Sequence, residues 1–290
     1  MKRILFITFY LCIAAGLFPS VSGAGSLDIS VPLLVDLKEV TPFIENSSGR
    51  APDDVGLHLA LSAMYINLGA IDPKRQARPD YDPPEFLPAE DHLRKAMALA
   101  PDLALPYFYM GLLELHRQDH VKALEYFERA LELNPKDVRI HQQIHTIHFS
   151  AQRFATSALF LENSIKALPG EANLYHRLAA SYLAINDFSM AAKHARKSMD
   201  LKYDPETNNL FAAIYMKGGW LTNAESEYRK VLKRYPQNIN AMLGMARIFA
   251  LRNKPNDARR WISEVLSVDD ENGEAILLLK EIQGSGQNRK

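Results

Sequence analysis

The chain has 290 residues, of which 47% are hydrophobic and 23% charged, the proportions of a soluble globular protein. Its 34 Lys and Arg equal its 34 Asp and Glu. That balance argues against a nucleic-acid partner, which needs a basic surplus.

Lys2 and Arg3 precede an apolar run from Ile4 to Phe18, and small residues follow at Val21, Ser22, Gly23 and Ala24. This is the pattern of a secretory signal peptide over 1–23, too short for a membrane span, with an uncleaved anchor as the alternative. No other stretch reads as a membrane span. The single cysteine, Cys12, lies inside this segment, and its neighbours Phe9, Tyr10 and Leu11 do not resemble a lipid-attachment site. Cleavage leaves 32 basic and 34 acidic residues and no thiol. That excludes disulfides, thiolate catalysis and cysteine metal sites, and suits an oxidising compartment. Residues 24–54 read as an arm and linker, with a sequon at Asn46-Ser47-Ser48.

From there a 34-residue period governs the chain. Pro101, Pro135 and Pro169 mark it, and it continues past Tyr203 to Pro236 and Asp270. A fixed period of this length signals stacked helical units. The clearest unit spans 104–137. Tyr107, Met110 and Gly111 follow helical spacing, as do Ala123, Leu124, Phe127, Ala130 and Leu131 on a second helix before Pro135. The small residues let two helices approach. The first-helix position holds Ser62, Gly111, His145, Ala179, Ala212 and Ala246, and its counterpart holds Ala89, Ala123, Ser157, Ala191, Ala224 and Ala258.

On Tyr107, Met110, Gly111, Ala123, Phe127, Ala130 and Pro135, the chain resembles the tetratricopeptide repeat family. The resemblance implies an all-α, right-handed superhelical solenoid. The units fall at 55–103, 104–137, 138–171, 172–204, 205–238 and 239–272, with a capping helix over 273–284 and a disordered tail over 285–290. The fourth unit is one residue short and has Tyr203 in place of proline. The first carries an insertion, 71–88, whose prolines 73, 79, 83, 84 and 88 argue against a helix through it. Its acidic residues Asp80, Asp82 and Glu85 lack the spacing of a calcium loop. The tryptophans, Trp220 and Trp261, read as core.

No phosphate loop, Ser-His-Asp arrangement or paired-carboxylate pattern appears, so no catalysis and no cofactor are expected. His141, His145 and His148 fall at i, i+4 and i+7 on one helix, which offers an alternative reading as a metal or small-ligand face. Packing against Ser157 accounts for His145 without a metal. A further alternative is an accessory subunit of an envelope enzyme complex. In the family, the first helices line a concave groove. By resemblance, that groove here comprises Phe108, Leu112, His116, Arg139, Gln142, Thr146, Phe149, Asn173, His176, Asn209, Met216, Asn240 and Arg247. It is expected to bind an extended protein segment. Leu59, Ala63, Phe108 and Leu112 stand where relatives that clamp a C-terminal carboxylate would need charged or amide groups. The resulting expectation is an exported scaffold or adaptor, periplasmic in a bacterium, serving assembly or export of an envelope complex such as pilus, secretion, polysaccharide or outer-membrane machinery.

Overall fold

Small residues at matched positions of two paired helices allow the helices to pack closely, and the chain uses this repeatedly. A computed structural model describes residues 54–72, 74–75 and 81–287. The signal segment and nearly all of the N-terminal arm lie outside them. Thirteen helices are present among the described residues, and no strand. They are α1 (Val55–Ala70), α2 (Phe86–Leu99), α3 (Ala104–His116), α4 (His120–Leu133), α5 (Val138–Ser150), α6 (Phe154–Ala167), α7 (Ala172–Ala184), α8 (Phe188–Leu201), α9 (Pro205–Lys217), α10 (Leu221–Arg234), α11 (Ile239–Leu251), α12 (Pro255–Val268) and α13 (Gly273–Gln287).

The chain divides into two compact units, one up to Gln143 and one from Ile144. In the first, Gly111 of α3 lies under the ring of Phe127 on α4. A Cβ built there would come within 2.6 Å of a ring carbon. Ala123, Phe127 and Ala130 of α4 are fully buried. In the second, Ala179 with Ala191, Ala212 with Ala224 and Ala246 with Ala258 are all fully buried at the corresponding positions.

Within the pairs from α3 to α12, a three-residue turn joins the two helices. Its second residue has positive φ each time: Gln118 (63°), Gln152 (57°), Asn186 (62°), Gly219 (83°) and Asn253 (59°). The left-handed residue brings the next backbone N–H back to the ending helix, as in Asp119 N–H to Glu114 O (2.9 Å) and Trp220 N–H to Tyr215 O (2.8 Å). Acidic or amide side chains then cap several helices. Asp119 accepts from Lys122 N–H (3.0 Å), Asp187 from Met190 N–H (3.0 Å) and Asn238 from Ala241 N–H (2.9 Å).

Three expectations need correction. The insertion ends earlier than 88, because α2 begins at Phe86. Pro88 occupies the first helical turn, where its missing N–H has no intrahelical acceptor to lose. The last helix runs to Gln287 rather than ending at 284, and no proline after Pro255 interrupts its hydrogen-bond ladder. Trp220 is not core. It is half exposed at the start of α10, meeting Tyr215 edge-on at 6.1 Å. Trp261 does pack partly buried against the core beside α11 and α12. The missing residue of the fourth unit shortens the link between α8 and α9 to Lys202, Tyr203 and Asp204, and Pro205 opens α9. Ala275, Leu279 and Ile282 of α13 pack onto the cluster of Met242, Ala246, Ala258, Ile262 and Val265.

Gly111→Ala is expected to destabilise the protein by about 1–3 kcal/mol through overpacking against Phe127, read as a lower urea midpoint. Phe127→Leu in the same chain should recover part of that loss. At the turns, Gln152→Gly should raise stability by about 0.5–1 kcal/mol and Gly219→Ala should lower it by a similar amount.

Candidate functional site

The first helices carry the expected groove residues, and packing with neighbouring elements decides how many stay accessible. In the unit up to Gln143, Phe108 is buried. Its ring lies 5.7 Å from Phe127, and the Arg139 guanidinium sits over it at 5.0 Å. Asp137 accepts from Arg139 Nε (2.9 Å), Nη2 (2.6 Å) and the backbone N–H (3.0 Å). Burial pushes the Asp137 carboxyl up, but the hydrogen bonds and charge of Arg139 outweigh it, and the carboxyl lies below its ordinary value. Beside this group is a partly open cavity of about 240 Å³, lined by Leu103, Leu105, Phe108, Asn134, Arg139 and Ile140 among others. Gln142 is half-buried.

Leu112 and His116 are buried, so neither offers a free side chain. The His116 ring meets Phe86 at 5.8 Å, and Arg75 of the insertion donates to the His116 carbonyl. Burial, then the Arg75 charge, lowers the His116 imidazole to about 4. The neighbouring Arg117 was absent from the expected site. It reaches Glu90 (2.7 Å), Glu114 (3.0 Å) and Asp82 (3.4 Å), tying the insertion to α2 and α3.

In the unit from Ile144, Thr146, Phe149, His176 and Met216 are half-buried, while Asn173, Asn240 and Arg247 are exposed. Phe149 packs edge-on to Phe154 at 5.0 Å. Asn173 accepts from Arg177 Nε (2.8 Å), and His176 Nδ1 meets Thr207 Oγ1 (2.9 Å). Arg247 pairs with Glu274. Asn209 is buried and donates to Asn238 Oδ1 (3.0 Å). Phe108, Leu112, His116 and Asn209 are thus taken up by internal packing, with Phe108, His116 and Asn209 in contact with elements before or after their own helix.

The three histidines of α5 have separate surroundings. His141 Nε2 lies 2.9 Å from the Pro135 carbonyl. His148 Nδ1 is buried without a hydrogen-bond partner among the described residues. His145 Nδ1 lies 2.8 Å from Ser157 Oγ, which lies 3.0 Å from Ser181 Oγ, whose hydroxyl donates to the Arg177 carbonyl (3.0 Å). Since Ser181 spends its proton on that carbonyl, Ser157 donates to Ser181 and His145 donates to Ser157. This direction puts a proton on Nδ1, and the lowered pKa leaves the ring neutral near pH 7. Burial, then the charges of Arg177, His148 and His176, lowers that pKa to about 3. Among the described residues no group of three or more His, Cys, Asp or Glu is placed to hold a metal ion. No described helix is long and apolar enough to cross a membrane.

The tetratricopeptide repeat family matches residues 104–137 and 205–238. The chain is 26% identical over 142 residues to the BBSome complex member BBS4 of Xenopus tropicalis, covering 49% of this chain and 28% of that protein. Across the first curated relatives it spans only 19–36% of their length. It resembles solved pilF of Pseudomonas aeruginosa at TM-score 0.57 and 17% identity, covering 79% of this chain and 99% of that one. It also resembles YrrB, described as a TPR protein with an unusual peptide-binding site, at TM-score 0.51 and 17% identity, covering 65% and 97%. The structural likenesses establish the fold. The chain is thus all-α, with tetratricopeptide repeats matched at 104–137 and 205–238 and the fold of these solved repeat proteins.

The neutral His145 makes stability sensitive to acid. The unfolded chain takes up this proton near pH 6.5 and the folded chain only near 3. Its contribution is therefore complete above about pH 6.5 and is lost as pH falls toward 3, by about 2 kcal/mol at pH 5. Urea titrations at pH 7 and pH 5 should show this loss. His145→Ala should remove that part of the slope while lowering stability at both pH values.

Proposed function

We propose that the protein is a non-enzymatic scaffold of the bacterial cell envelope that holds an extended segment of a partner protein against its first helices. The observation that carries this reading is the cavity beside Phe108 and Arg139. It combines an apolar wall with an arginine already fixed by Asp137, so a partner can insert an apolar side chain and place a carbonyl or carboxylate on the guanidinium with little ordering of the site. In the other unit, exposed Asn173, Asn240 and Arg247 supply side chains suited to a peptide backbone, and half-buried Phe149 and Met216 supply apolar contacts.

The description of BBS4 as a complex member and of YrrB as a peptide-binding protein supports a scaffold role. The leader pattern over 1–23, with a mature chain free of thiols, supports export to the periplasm. Assembly or export of an envelope complex follows as the setting for a scaffold placed there.

Affinity purification from envelope extract should recover a defined partner with the wild-type chain and lose it with Arg139→Ala, Phe149→Ala and Arg247→Ala combined. Equal recovery by both chains, with matched thermal melts, would remove the first-helix faces as the binding surface. Recovery of the protein from the cytoplasmic rather than the periplasmic fraction would overturn the assignment to the envelope.

A further inference from the structure

A second surface stands out by its charge. Residues 144–290 contain 20 Lys and Arg against 15 Asp and Glu. Helix α8 with Lys202 carries Lys193, Arg196, Lys197 and Lys202 against Asp200. Helix α10 carries Arg229, Lys230, Lys233 and Arg234 against Glu225 and Glu227. These two segments together have a surplus of five positive charges, which equals that of the whole stretch. Every other charge in the stretch balances.

All eight basic side chains are exposed. Arg229 pairs with Glu225 and Lys230 with Glu227. Lys193, Arg196, Lys197, Lys202, Lys233 and Arg234 form no ion pair among the described residues. Two of them are braced by aromatic rings. Arg196 lies over Phe211 at 5.3 Å, and Arg234 lies over Tyr203 at 4.8 Å and Tyr235 at 5.8 Å. A stacked guanidinium keeps its N–H edge free for a carboxylate while losing side-chain freedom in advance. The helix dipole accounts for Lys233 and Arg234 in the last turn of α10. It does not account for Arg196, Lys197, Arg229 and Lys230, which occupy the same two positions in successive second helices.

We propose that this face of α8 and α10 docks an acidic segment of a protein partner, separately from the first-helix surface. The interleaved acids favour a chain over an anionic bilayer. A bilayer plane would press on Asp200, Glu225 and Glu227 along with the cations, whereas an extended segment can run between them. Each 14-residue helix is about 21 Å long, enough for roughly six or seven extended residues.

The test uses the full chain and a fluorescein-labelled dodecamer of glutamate, read by anisotropy at low salt. The expected result is binding that weakens as salt rises, and a loss of about tenfold or more in Arg196→Glu, Lys197→Glu, Lys233→Glu and Arg234→Glu combined. A control with Lys254→Glu, Arg259→Glu, Arg260→Glu and Lys280→Glu makes the same change in net charge elsewhere and should lose less than about threefold. Circular-dichroism melts confirm that both variants fold. No binding, or equal loss in both variants, overturns the proposal. So does capture by phosphatidylserine vesicles without capture of the peptide.

Discussion

The close approach of two helices at one small-residue position is the constraint on which the rest depends. Where Gly111 lies beneath Phe127, no side chain fits between the helices. Alanine at 179, 191, 212, 224, 246 and 258 achieves the same closeness elsewhere. Fixing that contact sets the separation of the pair, and the short turn can then close only through a left-handed residue. The turn is therefore repeated in backbone conformation, although its sequence varies among Gln, Asn and Gly. The α5–α6 pair meets the constraint differently. His145 and Ser157 are too polar for the usual contact, so they hydrogen-bond across it and pass the demand on to Ser181 and a carbonyl of α7.

This explains how much of the fold was legible in the sequence. The period, the paired small residues, the partnership of His145 with Ser157 and the apolar face of the last helix all concern contacts within a helix or between partners in a pair. Such contacts recur at constant offset and can be read from one strand of text. The start of α2 was missed because a proline in a first turn resembles a proline in a loop. The left-handed Gln118 and Gln152 were missed because glutamine gives no local signal for that conformation.

Contacts between successive pairs were the least legible, and they include much of the candidate site. Phe108, Leu112, His116 and Asn209 are all buried, and Phe108, His116 and Asn209 meet Arg139, Phe86 and Asn238 of elements outside their own pair. A signal was present in the charges. Glu90, Arg94 and Arg117 recur in register as Glu225, Arg229 and Arg252, joining a second helix to the end of the next first helix. Aligned across units as the small residues align, these charges mark the links at a constant offset.

The two kinds of helix also differ in the freedom left to their surfaces. A first helix meets its partner and its neighbours, so many of its side chains are already committed, Arg139 to Phe108 and Asp137 among them. A second helix keeps a row of exposed side chains, Lys193 and Lys197 of α8 and Lys230 and Lys233 of α10 among them. At the register of Arg196-Lys197 and Arg229-Lys230, α2 has Arg94-Lys95, α4 has Glu128-Arg129, α6 has Glu162-Asn163 and α12 has Ser263-Glu264. The fold imposes no sign at this position, and α2 offsets its basic pair with Glu90 and Asp91, so the net positive surplus of α8 and α10 is not a by-product of packing. It is where the physical constraints leave room for a partner to select the sequence.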